Sequence, residues 1–107
     1  MNFKLSFAPL FERELKSLSK KHSSLKSDLL KLTNSLTKDP KQGKPLGNNC
    51  YKIRVAISSK NKGKSGGARI ITYVKIVEET IYLISIYDKS DTDTIAHNEL
   101  IERTKGL

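Results

Sequence analysis

Residues 50–57 have the sequence CYKIRVAI, in which large apolar side chains alternate with charged or smaller ones. In an extended strand, a period of two places Ile53 and Val55 on one face. Lys52 and Arg54 then lie on the opposite face. The alternation therefore predicts a strand with one buried face and one cationic face, and the rest of the chain is interpreted around this strand.

Two further β-rich runs, at residues 69–77 and 80–87, follow after a polar, glycine-rich loop. Only Glu78 and Glu79 separate these runs, so we expect them to pair as an antiparallel hairpin. Three strands of this kind predict a mainly antiparallel sheet.

A helical hairpin is predicted upstream of the sheet. Four leucines between Leu25 and Leu36 recur at the spacing of one helix face, the strongest helix signal in the sequence. Pro9 suits the first turn of a preceding helix over residues 9–21, where its missing N–H has no intrahelical partner to lose. The apolar faces of both helices need a surface to cover, and the sheet offers one.

The remaining stretches give weaker signals. Residues 3–7 alternate as a short strand does, residues 41–49 have the glycine and proline content of a loop, and residues 92–103 favour a last helix with irregular apolar spacing. The predicted fold is therefore α+β. It is one small domain over residues 1–107, an N-terminal strand and a helical hairpin packed on a mainly antiparallel twisted sheet in the order β-α-α-β-β-β-α.

The charge is distributed unevenly along the 107 residues. Residues 1–77 hold 17 Lys and Arg against 4 Asp and Glu, whereas residues 78–107 hold 3 against 7. Between Pro40 and Val77 there are nine basic residues and no acidic one. A polyanion is the partner that such a segment favours, although a solvated lysine-rich surface would have the same composition.

Strand geometry brings many of these cations to one face. Basic and tyrosine side chains on such a face suit RNA, because cations bind phosphates and aromatic rings stack on unpaired bases. Tyr73 would fit either a stacking role or core packing. The predicted face carries Lys52, Arg54, Arg69, Tyr73 and Lys75, with Lys60, Lys62 and Lys64 over its rim and Lys89 just past the third strand.

Other chemistries find little support in the sequence. His22 and His97 are expected on the surface, away from any acid–base partner. Cys50 is expected to be a small buried side chain, and no spacing resembles a zinc site. Gly63-Lys64-Ser65 lacks the first glycine and the following helix of a phosphate-binding loop. We therefore expect no metal and no cofactor.

A cluster of cations can itself cleave RNA. Attack by the 2′-hydroxyl on its own phosphate needs a base, an acid for the departing 5′-oxygen and positive charge around the phosphorus. Like-charge repulsion lowers the pKa of crowded lysines, so a lysine can serve as the base without a metal.

Three motifs resemble the RelE/ParE superfamily of toxins from bacterial toxin–antitoxin pairs. They are CYKIRVAI at residues 50–57, GKSGGARIITY at residues 63–73 and YLISIYDK at residues 82–89. The long basic loop before Gly66 is most similar to the HigB-type branch. The resemblance covers nearly the whole chain. It implies a ribosome-dependent endoribonuclease that cuts mRNA and is silenced by an antitoxin.

The resemblance also implies roles for single residues. Arg69 matches the family arginine that stabilises the transition-state phosphate, and Lys89 takes a position where relatives often have arginine. In this branch, Lys62 or Lys64 of the loop would act as the base, and the sequence does not choose between them. With the strand geometry, the predicted RNA- or ribosome-binding residues are Lys52, Arg54, Lys60, Tyr73, Lys75 and Tyr87.

One position departs from the family pattern. Ile95 stands where RelE-like members place a catalytic tyrosine in the terminal segment. Either Tyr87 or another group substitutes for it, or cleavage is weak. The alternatives are a ParE-like gyrase inhibitor that acts by binding, and an RNA-binding domain without catalysis.

The expected partners and compartment follow from this interpretation. They are a cognate antitoxin protein, and the ribosome with its mRNA and 16S rRNA. No apolar run approaches the roughly 20 residues of a membrane span, and a cytoplasmic bacterial protein is expected.

Overall fold

One five-stranded sheet organises the chain, with one strand more than the sequence predicts. The computed structural model describes residues 3–61, 63–92 and 94–107. The elements are β1 (Lys4–Phe7), α1 (Pro9–Lys21), α2 (Leu25–Leu36), β2 (Lys44–Gly47), β3 (Cys50–Val55), β4 (Ala68–Lys75), β5 (Thr80–Asp88) and α3 (His97–Thr104).

The strands lie in the order β1-β5-β4-β3-β2. β1 runs parallel to β5, and the other neighbours are antiparallel. The predicted hairpin of β4 and β5 is confirmed, with a short 3-10 turn at Ile76–Glu78 between the strands. The α+β fold with a mainly antiparallel sheet is therefore confirmed.

α1 and α2 cover one face of this sheet, as the leucine spacing predicts. Phe11 of α1 and Leu36 of α2 are completely buried, and so are Ile70, Ile81 and Leu83 of the central strands. These side chains belong to one apolar cluster. Burial of apolar surface is the main stabilising contribution in such a small domain.

The opposite face of the sheet holds a second apolar cluster, which the sequence analysis did not predict. Cys50, Ile71 and Ile84 are buried there beneath Leu100 of α3. A register shift follows Ile71 in the pairing of β4 with β5, so Ile84 is an extra residue of β5 that joins this cluster. This cluster occupies part of the face on which the sequence places the basic residues.

Two boundaries also differ from the predictions. Residues 44–47 form the edge strand β2 within the predicted loop, because an edge position tolerates Pro45. The last helix begins at His97 and not at residue 92. In the described part of the chain, no helix has the length and apolar character needed to cross a bilayer.

Candidate nucleic-acid interface

Four basic residues meet at one end of the sheet. Arg54 of β3 lies opposite Arg69 of β4 in the strand register, and opposed residues of an antiparallel pair share a face. The Lys64 carbonyl accepts a hydrogen bond from Arg69 Nη1 at 2.9 Å. The Lys89 backbone N–H donates to the Gly67 carbonyl at 3.0 Å. We call Arg54, Lys64, Arg69 and Lys89 the cationic cluster.

Arg69 differs from the other members because it is buried, with only 2% of its surface exposed. Its guanidinium donates to the carbonyls of Lys64 and Ala68 through Nη1, and lies 3.5 Å from the Ser65 carbonyl through Nη2. A buried charge requires such partners. Arg54, Lys64 and Lys89 are exposed at the surface around it.

The loop that precedes Arg69, residues 58–66, is tied to α2 at its beginning. We call it the basic loop. Asp28 accepts hydrogen bonds from the Ser58 backbone N–H at 2.9 Å and from Ser58 Oγ at 2.6 Å. Burial alone would raise the pKa of Asp28, but the hydrogen bonds from Ser58 and Ser24 outweigh it and lower the pKa. The carboxylate therefore stays ionised and holds the start of the loop.

A second buried carboxylate, Asp88, contacts the basic loop from β5. Lys60 Nζ lies 2.7 Å from Asp88 Oδ1, and His22 Nε2 lies 3.0 Å from Asp88 Oδ2. The expectations that Lys60 extends over the rim and that His22 has no acidic partner are therefore wrong. Chain segments that are distant in sequence meet here, which local patterns do not reveal.

The structure also adds basic residues that the sequence analysis missed. Lys44 of β2 lies opposite Lys52 of β3, and it was missed because β2 was predicted to be a loop. A groove of about 570 Å³ runs between α2 and the end of β3, and Lys31, Arg54 and Lys64 line it. The polar face of α2 was the available signal for Lys31.

Tyr73 and Lys75 lie away from the cationic cluster. Tyr73 stacks on Tyr82, with ring centroids 6.0 Å apart, and packs against the second apolar cluster. Lys75 Nζ donates to the Leu107 carbonyl at 2.8 Å and pairs with Glu78 at 3.1 Å. The apolar cluster under α3 therefore separates Lys75 from the cationic cluster.

The family is decided by a match that spans almost the whole domain. Residues 10–105 match the family described as the RelE toxin of the RelE/RelB toxin–antitoxin system. The chain belongs to the RelE toxin family.

Solved structures of RelE proteins share the fold. A mutant of the Escherichia coli toxin RelE in the free state is 23% identical, with a TM-score of 0.66, over 97% of this chain and 99% of that one. A chain of the intact E. coli RelBE toxin–antitoxin complex is 21% identical, with a TM-score of 0.62, over 80% of this chain and 95% of that one. A RelBE toxin–antitoxin complex from Mycobacterium tuberculosis is 15% identical, with a TM-score of 0.60, over 82% and 92%.

Tyr87 and Ile95 lie together in this RelE-family protein. Both line a cavity of about 260 Å³, which Ser85, Glu14 and Arg103 also line. Tyr87 lies opposite Arg69 in the register of β4 and β5. Ile95 therefore shares a cavity with the tyrosine that lies opposite Arg69.

The remaining residues considered for chemistry are a cysteine, a histidine and a lysine. Cys50 is buried, as expected, and burial raises the pKa of its thiol to about 11. His97 is exposed at the start of α3. Lys62 lies outside the described residues. Among the residues that are described, no group of three or more His, Cys, Asp and Glu side chains could hold a metal ion.

Proposed function

We propose that this RelE-family protein is a ribosome-dependent endoribonuclease that cleaves mRNA and thereby inhibits translation. The observation that carries the proposal is the cationic cluster, which combines exposed Arg54, Lys64 and Lys89 with the buried Arg69. Charges concentrated at one end of a sheet bind a phosphate backbone and stabilise negative charge that develops on it.

The proposed reaction is attack by a ribose 2′-hydroxyl on the adjacent phosphorus. The new bond joins the 2′-oxygen to phosphorus, and the bond to the 5′-oxygen breaks, which leaves a 2′,3′-cyclic phosphate. A lysine of the basic loop, Lys62 or Lys64, takes the 2′-hydroxyl proton, and Lys89 is the candidate to protonate the 5′-oxygen. The step uses protein side chains alone and needs no metal or cofactor.

Arg69 is proposed to stabilise the charged phosphate at the transition state. In the free protein its guanidinium is engaged by the carbonyls of Lys64 and Ser65. These carbonyls fix the position of the guanidinium, so that its positive charge acts on the phosphate from a preorganised position.

The RNA and the ribosomal 16S rRNA are proposed to lie across the cationic end of the sheet. Lys44 of β2, with Lys52 and Arg54 of β3, offers a path for the backbone, and Tyr87 offers a ring for base stacking. Lys60, Tyr73 and Lys75 have partners within the protein, so binding of RNA to them would require these contacts to break.

An antitoxin is the second proposed partner. Solved RelE relatives include toxin–antitoxin complexes from E. coli and M. tuberculosis. We propose that a cognate antitoxin silences this chain in the cytoplasm of its bacterial host. Its long basic loop supports a place in the HigB-type branch.

The direct test is a cell-free translation reaction with primer extension on the mRNA. Wild type should give cuts in phase with codons, and only when ribosomes are present. Lys89→Ala and Arg69→Ala should lose these cuts. Lys16→Ala, at an exposed lysine of α1, is the control that removes the same charge elsewhere. Because Arg69 is buried, circular dichroism must show that its variant is folded.

Inhibition of DNA gyrase is the second candidate function. Ile95 favours it, because the position of the family's catalytic tyrosine has no acid–base group here. Inhibition of gyrase supercoiling together with intact mRNA would support this function. Binding to RNA that weakens steeply with salt, without cleavage or gyrase inhibition, would instead identify a non-catalytic RNA-binding domain.

A further inference from the structure

Lys60 connects the beginning of the basic loop to its end. Its ammonium group donates to the Gly66 carbonyl at 3.1 Å and to Asp88 Oδ1 at 2.7 Å. The first bond joins the two halves of the loop, and the second fixes them to the end of β5. Lys60 is half-buried, so its charge is directed into the protein at this point.

The Asp88 carboxylate has several hydrogen-bond partners. Besides Lys60, it accepts hydrogen bonds from the Ser90 backbone N–H at 3.0 Å and from Ser90 Oγ at 2.8 Å. His22 from the turn between the helices contacts its other oxygen at 3.0 Å. The residue is 5% exposed. A carboxylate held by so many donors has a well-defined position, and so does the ammonium group that it binds.

The loop in turn positions the cationic cluster. The carbonyls of Lys64 and Ser65 hold the Arg69 guanidinium, and the Lys64 side chain lines the groove beside Arg54. The Lys89 backbone is bonded to Gly67, directly after the loop. A shift of the loop would therefore displace Lys64, Arg69 and Lys89 together.

We propose that Asp88 is a positioning residue for the cationic cluster, acting through Lys60. It fixes the basic loop on β5 so that Lys64 and Arg69 are held in the arrangement that cleavage requires. The proposal rests on the proposed ribonuclease function for its effect on rate. Its structural half, the fixing of the loop, does not depend on that function.

Because Asp88 is negatively charged, a positioning role and a purely electrostatic role predict opposite effects of Asp88→Asn on the cleavage rate. An acid beside a polyanion site weakens the local positive field, so an electrostatic role alone predicts that Asp88→Asn binds RNA more tightly and cleaves at least as fast. Positioning predicts the opposite effect on rate. Displacement of catalytic groups by about 1 Å can slow a reaction roughly a hundredfold.

The experiment compares single-turnover cleavage by wild type, Asp88→Asn, Lys60→Met and the double variant in the ribosome assay. The control for Asp88→Asn is Asp39→Asn, at an exposed acid that gives the same charge change. The control for Lys60→Met is Lys16→Met. We expect both single variants to cleave roughly ten- to a hundredfold more slowly, with half-saturating ribosome concentration little changed. The double variant should be no slower than the worse single one, because one contact is lost in all three.

Hydrogen exchange measures the protection of backbone amides in and beside the basic loop without any substrate. In Asp88→Asn the backbone amides of Lys60, Gly67 and Lys89 should exchange about tenfold faster than in wild type. The Ser58 amide, which is bonded to Asp28, should keep its protection and shows that the protein is folded. Lys60→Met leaves Asp88 with His22 and Ser90 as donors, so it provides a second variant if Asp88→Asn is unstable.

The outcomes are distinct. Unchanged hydrogen exchange in both variants overturns the proposal. Faster exchange in the basic loop together with wild-type or faster cleavage also overturns it, because the loop would then only cover Arg69. If the difference in cleavage rate from wild type disappears at saturating ribosome concentration, Lys60 only contributes to binding, and the proposal is overturned. If wild type leaves mRNA intact, the ribonuclease function fails, and hydrogen exchange alone decides whether Asp88 fixes the loop.

Discussion

At the residue scale, Arg69 shows how a charge is kept inside a small domain. Its guanidinium is a planar fork that donates towards two successive loop carbonyls, those of Lys64 and Ser65. A lysine ammonium is a point charge on a flexible stem and does not reproduce this geometry. The same residue thus links the order of the basic loop to the proposed chemistry.

Arg69→Lys should therefore destabilise the protein although it keeps the charge. We expect a loss of about 1–3 kcal/mol in the free energy of unfolding, the usual consequence of leaving buried polar groups without partners. Urea denaturation measures it. Arg54→Lys is the matched control, because Arg54 is exposed on the neighbouring strand and should change stability by less than about 0.5 kcal/mol. Equal effects at both positions would contradict this account.

Cys50 gives a second prediction at this scale. Burial raises the pKa of its thiol to about 11, so at pH 8 only about one molecule in a thousand carries the reactive thiolate. Reaction with a disulfide reagent at pH 8 should be slow for the native protein and fast in urea, followed by absorbance. Rapid reaction of the native protein would mean that the second apolar cluster opens readily.

At the element scale, the helical hairpin and the three long strands were predictable because each carries its own period. The strand β2 and the position of α3 on the sheet were not predictable. β2 is an edge strand with Pro45 and Gly47, residues that ordinarily indicate a loop. α3 is held mainly by contacts with other elements: Arg103 binds Glu14 of α1 through both carboxylate oxygens and donates to the Ile84 carbonyl at 2.7 Å.

Arg103→Met should consequently loosen α3 from the sheet. Arg103 and Glu14 are only partly exposed, so we expect a loss of about 1–3 kcal/mol, less than for a fully buried pair. Hydrogen exchange in α3 should rise more than in β4. Lys105→Met is the control, because the Lys105–Glu102 pair is largely exposed and such pairs contribute little. Undiminished protection of α3 would show that the apolar cluster alone holds it.

The cationic site was predictable at this scale only in part. Alternation along β3 and β4 placed Arg54 and Arg69 on one face, and the register confirms that they are opposite each other. The burial of Arg69 and the inward direction of Lys60 depend on Asp88 and on the loop carbonyls, which are brought in by tertiary structure. No local pattern contains that information.

At the scale of the whole molecule, two buried acids make stability depend on pH. Burial would raise the pKa of Asp88, but hydrogen bonds from Lys60, Ser90 and His22 lower it far below its ordinary value, and the pKa of Asp28 is also lowered. A lowered folded-state pKa gives stability that is complete above the unfolded-state pKa of about 3.9 and is lost as the pH falls further.

Wild type should therefore lose stability below about pH 4, as its carboxylates protonate. Asp88→Asn should be less stable at pH 7, and its stability should fall less steeply between about pH 4 and pH 2. Chemical denaturation at a series of pH values measures both slopes. Asp39→Asn, the exposed control, should follow the wild-type slope. Parallel curves for wild type and Asp88→Asn would contradict the role given to Asp88.

The parallel pairing of β1 with β5 has a consequence for synthesis on the ribosome. Lys4 lies beside Thr80 and Phe7 beside Leu83, so β1 cannot pair until β5 has been synthesised. The leucine faces of α1 and α2 likewise remain without the interior strand β5 until it is translated. Because contacts between such distant residues form late, the nascent chain cannot complete its core early. The proposed activity would then arise only after β5 has left the exit tunnel.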